Sequence, residues 1–270
     1  MSPILNIVIP SRGPSELRQL LEHDLQRELD GAGAFASVHI EEGSSASANR
    51  NAGASVGEAP WICFLDDDVR LPLGWIKEVE TVLIPNPPYD LFSGLIESTH
   101  PRNILSQAAE DFVVRHKRYG AQLFLVGAML FVRRTAFDVI GGFDESFQGA
   151  GGEDWDFCSR AHQLHMRVGI IDSIRCAHEN PRTFTELMRR AASYGSSEPQ
   201  PAKAMIDNAK PRHTATKSPL MIVRAATWPI REYRNLRNRG RTRTRSLVST
   251  SLYVPWMARY LWARRSNVAP

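Results

Sequence analysis

The sequence predicts an α/β protein: a mostly parallel, doubly wound central sheet flanked by helices, followed by a basic C-terminal helical extension. Three observations carry that reading. Short apolar runs alternate with segments of helical periodicity, as expected for strands buried on both faces between helices. The first three strand candidates end in Pro10-Ser11-Arg12, Glu41-Glu42-Gly43-Ser44 and Asp66-Asp67-Asp68, so polar residues collect where the strands stop. The chain has 270 residues, 43% hydrophobic and 23% charged. That is enough for one large domain, or for a domain of about 200 residues with an appendage, and it excludes wholesale disorder.

Ile4 to Ile9 (ILNIVI) is a buried strand stopped by Pro10. Ser15 caps a helix whose Leu17, Leu20, Leu21 and Leu25 fall at helical spacing. Ala36 to Ile40 is a second strand, Ala46 to Val56 a small-residue helix, and Trp61 to Leu65 a third strand. Leu91 to Ile96 is a strand and Ile104 to Tyr119 a helix. Leu123 to Val132 reads as a strand interrupted near Gly127. Gly141 to Glu145 is a turn, and Gly151-Gly152 opens a helix from Glu153 to Leu164. Val168 to Ile171 is a last strand leading towards His178. Residues 195–219 hold four prolines, which places a domain of 1–215 before an extension of 216–270.

Charge divides the same way. From Arg224 onward there are eleven arginines, no lysine and one acid, a net +10, whereas the preceding residues carry a net −6. An acidic body is not the footprint of a protein that grips nucleic acid over its surface, and RGRTRTR lacks interleaved aromatics for base stacking. No nucleic-acid partner is expected. Cys63, Cys158 and Cys176 form neither a disulfide framework nor a zinc spacing. The longest uncharged apolar run near the middle, Ala121 to Val132, is too short to cross a bilayer. The start, Met-Ser-Pro-Ile-Leu, enters a strand without a basic leader, so a cytoplasmic location is expected.

Ligands of open α/β sheets bind beyond the carboxyl ends of the strands. Three adjacent aspartates there repel one another unless a cation or a hydrogen-bond network offsets the repulsion. Mg²⁺ or Mn²⁺ suits carboxylate oxygens and bridges phosphates, so a metal–diphosphate site explains Asp66, Asp67 and Asp68. Capping the next helix in solvent explains them equally well.

The order of motifs decides between the two. IVIPSRG, HIEEGS, SANRNAG, WICFLDDD, then GAMLFVRRTAF with GGFDESF, then GGEDWDFCSRA, resembles the family 2 glycosyltransferases of the GT-A fold over roughly residues 4 to 180. The last element is similar to the Gly-Gly-Glu-Asp of galactosyltransferase-type GT-A enzymes. The resemblance implies a metal-dependent, inverting glycosyltransferase of hexosyltransferase type, using Mn²⁺ or Mg²⁺ and a nucleotide-sugar donor, most simply a UDP-sugar. It assigns Pro10, Ser11 and Arg12 to the nucleoside loop and Glu42 to the base edge. Arg50 meets the diphosphate, Asp66 the ribose or donor sugar, and Asp67 is the middle position of the Asp-X-Asp motif. Asp68 holds the metal, and His178 either completes its shell or is an ordinary packed side chain. Asp154 is the general base, with Glu153 holding acceptor or donor hydroxyls. Ala150 stands where galactosyltransferase-type members have Trp, so the donor sugar stays open.

The acceptor implied is a glycan or lipid-linked hydroxyl, in cell-surface glycan or glycolipid synthesis. In the extension, Leu252, Trp256 and Tyr260 recur every four residues beside clustered Arg. They suit either an anionic membrane surface, which would place the enzyme on the inner face of the cell membrane, or packing on the catalytic domain or a second subunit. Two rival functions remain: a sugar nucleotidyltransferase, for which PSRGPSE is a poor phosphate loop, and a non-catalytic nucleotide- or RNA-binding scaffold.

Overall fold

The computed structural model describes residues 3–30, 35–43, 45–112, 117–119, 121–147, 151–197 and 219–266. The body elements are β1 (Leu5–Ser11), α1 (Glu16–Leu29), β2 (Ala36–Glu42), α2 (Ala46–Ser55), β3 (Trp61–Leu65), β4 (Val69–Arg70), α3 (Trp75–Leu83), β5 (Leu91–Ser98), α4 (Ile104–Phe112), β6 (Lys117–Tyr119), β7 (Gln122–Phe124), β8 (Met129–Arg133), α5 (Arg134–Ile140), α6 (Glu153–Gln163), β9 (Val168–His178) and α7 (Phe184–Ser197). The C-terminal helices are α8 (Pro219–Asn238) and α9 (Arg243–Ser266).

A seven-stranded sheet runs in the order β2-β1-β3-β8-β5-β9-β4. The β2-β1-β3 half is parallel, as the alternation of strands and helices predicts. Beyond it the sheet is mixed: β8 lies antiparallel to β3 and β5, β5 is parallel to β9, and β4 is antiparallel to β9. The α/β expectation holds, with a continuous parallel run over β2-β1-β3, a second parallel pair in β5 and β9, and antiparallel pairings between and beyond them. β8 returns antiparallel beside β3 only after β4, α3, β5, α4, β6 and β7, a long-range neighbour that apolar runs alone do not reveal.

Strand alternation sorts the core into two layers. Leu5, Ile7, Ile9, Trp61, Cys63, Leu65, Met129 and Phe131 pack with Leu21 and Leu25 of α1 and Trp75 and Val79 of α3. Val8, Ile62, Phe64, Leu130 and Val132 pack with Ala54 of α2, Phe137 of α5 and Phe157 of α6. Burial on both faces explains why these strands are continuous apolar runs. Ser15 caps α1, accepting a hydrogen bond from the Arg18 N–H at 3.0 Å.

Several bounds differ from the sequence reading. The helix expected over 104–119 ends at Phe112, and Lys117–Tyr119 pairs antiparallel with β7, a cross-strand contact that local periodicity does not register. The last strand runs on from Ile171 to His178, its polar Asp172, Ser173 and Arg175 exposed while Ile174 and Cys176 are buried. The interruption near Gly127 is present, between β7 and β8.

The extension packs against the body. Trp256 joins Ala108 and Ala109 of α4 and Leu187 and Ala191 of α7 in a third core cluster, with Leu252 and Tyr260 packed against it. Arg241 and Arg245 pair with Glu110 and Asp111, and Ser249 donates to Asp111 at 2.9 Å. The aromatic stripe singled out in the tail therefore faces the protein. Pro229 and Pro255 lie inside α8 and α9. The expected boundary at 215/216 falls outside the described residues. No described helix is long and apolar enough to cross a membrane.

Candidate active site

Three consecutive residues of α2 tie together loops distant in sequence. Asn49 Nδ2 donates to the carbonyls of Ser11 (2.9 Å) and Gly43 (3.3 Å), joining the ends of β1 and β2. Asn51 brackets Phe143, donating to its carbonyl at 2.9 Å and accepting from its N–H at 2.8 Å. Arg50, between them, is buried and forks: Nη2 donates to Asp66 Oδ1 at 2.8 Å and Nη1 to Glu153 Oε1 at 2.9 Å. Its guanidinium also lies over the Phe143 ring, 5.2 Å from the centroid. Asp66 and Glu153 hold the Arg50 charge firmly, raising its pKa although burial opposes it. One cation thus bridges the acidic triplet after β3 and the acidic pair that opens α6.

The α6 pair is placed by glycine geometry. Gly152, the N-cap residue, sits at φ 98°, and Gly151 at φ 128°, in the left-handed region that side chains disfavour. A Cβ on Gly151 would come within 2.9 Å of the Tyr194 ring of α7. Glu153 Oε2 accepts from the Gly151 N–H at 2.8 Å. Asp154 Oδ2 accepts from the Gly127 N–H at 3.0 Å and Oδ1 from the Trp155 N–H at 2.8 Å. Burial, then the neighbouring Glu153 charge, push the Asp154 carboxyl up to about 7.

The second cluster lies at the ends of β3 and β9. One ligand atom each from Asp66, Asp68 and His178 falls within 4.8 Å of the other two. His178 Nδ1 stands 3.0 Å from Asn180 Oδ1; with that nitrogen as the donor, Nε2 keeps its lone pair, 3.3 Å from Asp68 Oδ1. Asp68 Oδ1 is buried without a hydrogen-bond donor, and burial raises the Asp68 pKa. An orphaned carboxylate oxygen beside a second carboxylate and an oriented imidazole fits a divalent cation. The nitrogen donor suits Mn²⁺ better than Mg²⁺. Arg190 of α7 adds its Nη2 at 3.8 Å from Asp68 Oδ2.

Asp67 points elsewhere: its Oδ2 accepts from Ser11 Oγ at 2.6 Å, and burial raises its pKa. Pro10 is buried in β1. Pro10, Ser11, Asp67, Arg12 and Glu42 all stay outside the acidic cluster, and the last two are turned to solvent. Arg12 is exposed, and Glu42 is exposed at the end of β2, paired with Arg18. The structure thus brings together Arg50, Asp66, Asp68, Glu153, Asp154 and His178. It adds Asn180, Arg190 and the Gly127 N–H, which sequence reasoning missed, and gives Asn49 of the SANRNAG element its partners.

If the cluster holds a metal, Mn²⁺ should raise the thermal midpoint, by about 2.7 kcal/mol of stabilisation at a hundredfold excess over Kd. His178→Ala should erase most of that shift, read by differential scanning fluorimetry. An equal shift in the variant would remove His178 from metal binding.

The model of the family described as glycosyl transferase family group 2 matches residues 61–263. A pre-mycofactocin glycosyltransferase of Mycobacterium tuberculosis is 25% identical over 182 residues, covering 62% of the chain and 38% of the relative. The chain therefore spans well under half the length of that relative. Among solved structures, the mannosyltransferase PcManGT from Pyrobaculum calidifontis, in complex with GDP-Man and Mn²⁺, superposes with TM-score 0.53 at 14% identity, over 99% of this chain and 88% of that one. The catalytic domain of Drosophila β1,4-galactosyltransferase 7 with xylobiose gives TM-score 0.44 at 17% identity, over 62% and 63% of the two chains. The fold is GT-A.

Proposed function

The chain belongs to glycosyl transferase family group 2, and we propose that it moves a sugar from a nucleotide-sugar donor to an acceptor hydroxyl, with inversion at the anomeric carbon. The observation that carries this is the Asp66–Arg50–Glu153 bridge. It sets a cation-ready cluster beside a carboxylate, Asp154, whose raised pKa suits a general base. Donors of this kind are bound in solved relatives of the fold, GDP-Man with Mn²⁺ in PcManGT among them.

Asp154 takes the acceptor proton as the hydroxyl oxygen attacks the anomeric carbon and the bond to the diphosphate oxygen breaks. A base whose pKa lies near the working pH removes that proton more effectively than an ordinary carboxylate. Gly127 and Trp155 fix the carboxylate plane through their N–H groups. Glu153, held by Arg50 and Gly151, orients hydroxyls beside it. Asp66, Asp68 and His178 would hold the metal, with Asn180 aligning the imidazole. Bound there, a divalent cation would supply positive charge that offsets the negative charge developing on the departing nucleoside diphosphate. Ser11 and Asp67 line the nucleoside side at the ends of β1 and β3. A UDP-sugar is the first donor to test, and the acceptor a glycan or lipid-linked alcohol.

Arg190 takes the diphosphate in this reading, supported by its guanidinium 3.8 Å from Asp68 while Arg50 is occupied by two acids. A hydrogen bond to a charged group contributes about 1.5–3 kcal/mol. Arg190→Gln should therefore raise KM for the donor by roughly tenfold or more, with kcat changed less, and Arg190→Lys should recover part of the loss. Unchanged donor KM would exclude this contact. The function itself is tested by incubating a panel of nucleotide-sugars with Mn²⁺ and following release of nucleoside diphosphate. No release or transfer from any donor would count against it.

A further inference from the structure

Helix α9 is apolar on two opposite sides, and among the described residues the body covers one of them. Trp256, Leu252 and Tyr260 pack on α4 and α7. Across the helix, Leu247 is 58% exposed, Val254 58%, Leu261 40% and Trp262 59%. Leu247, Val254 and Leu261 follow one another at intervals of seven, so they form one stripe, and Trp262 widens it. Exposed Arg243 starts the same line one turn before Leu247, and exposed Arg259 lies over the Trp262 ring, 4.5 Å from its centroid. A helix that is apolar all round is ordinarily covered all round.

The geometry points to an anionic lipid surface as the cover: we propose that the outward face of α9 lies in the plane of such a surface, with Leu247, Val254, Leu261 and Trp262 inserted and arginines around them. Charge selects this occupant. From Arg243 to Ser266 the sequence has five arginines and no acidic residue, and the described part of α8 adds exposed Arg231, Arg234 and Arg237. A second copy would set the same cationic helix against itself, and like charges facing each other repel. Negatively charged headgroups pair with the arginines, and Trp suits the boundary between headgroup and acyl chain. The helix would lie on the bilayer, since none described is long and apolar enough to cross one.

The test reads vesicle partition rather than turnover, so it stands or falls independently of sugar transfer. The full chain is floated with vesicles of phosphatidylcholine alone or mixed with phosphatidylglycerol. Binding should be roughly tenfold or more stronger to the mixture and should weaken with salt. A Leu247→Ser, Leu261→Ser, Trp262→Ser variant changes only exposed positions. It should keep its circular dichroism and thermal midpoint yet lose binding by roughly tenfold or more. Quenching of tryptophan emission by brominated lipid chains should fall in Trp262→Phe. Equal flotation by variant and wild type, equal binding to neutral vesicles, or quenching independent of Trp262 would each overturn the proposal. So would a wild-type dimer that the triple variant converts to monomer in light scattering, which would give the face to a second copy.

Discussion

Asp154→Asn is expected to lower turnover by about 10²–10⁴ while nucleotide and metal affinity stay near those of the wild type. The amide preserves size and one acceptor oxygen but cannot take a proton. Asp154 is also not among the three groups clustered after β3 and β9. Burial and the Glu153 charge raise the carboxyl to about 7, and the sign of the pH dependence follows. Below that value the group is protonated and cannot act as base, so kcat/KM of the wild type should fall about tenfold per pH unit on the acid side. The residual activity of Asp154→Asn should lack that limb. Nucleotide binding by titration calorimetry, beside initial rates over a pH series, checks both parts. A variant with wild-type turnover, or one that keeps the acid limb, would take the base role from Asp154.

Arg50→Met should be the most destabilising single change in the site. Its side chain is 3% exposed, and it joins Glu153, 7% exposed, to Asp66, 29% exposed. Removing one partner of a buried pair costs about 3–5 kcal/mol, because the other charge remains buried and unpaired. Asp66 is partly screened by solvent, so the lower end of that range is expected. Against a typical stability of about 5–15 kcal/mol, such a loss is easily read from urea midpoints. The deficit should narrow as pH is lowered, since protonation neutralises the acids left without a partner. Arg50→Lys should recover little, because one ammonium cannot reproduce a fork spanning two carboxylates. A variant within 1 kcal/mol of the wild type would show that the bridge contributes little to stability.

How much of this was legible in the sequence depends on the range of the interaction involved. β3 was read to the residue, because five consecutive apolar side chains between Pro60 and Asp66 admit little else. Ser15 as a cap was equally local. The antiparallel placement of β8 was hidden, since a strand's neighbours depend on how the chain returns and not on its own residues. The tail shows the same limit from the other side. Leu252, Trp256 and Tyr260 announced an apolar face, but whether protein or lipid met it depended on α4 and α7, more than fifty residues away.

The sequence by itself determined the acidic triplet at a strand end, the acidic pair behind two glycines, and the order of motifs that marks the family. The first two rest on short-range rules of burial period, capping and backbone freedom, and the third on resemblance to a known order of motifs. Only the tertiary structure decided that Arg50 would bridge the two acidic motifs, that Asp66 would join Asp68 and His178, and that Glu42 would turn to Arg18 instead. The physical reason is that a charge takes its partner by distance in space, and Arg50 finds Glu153 across 103 residues of chain.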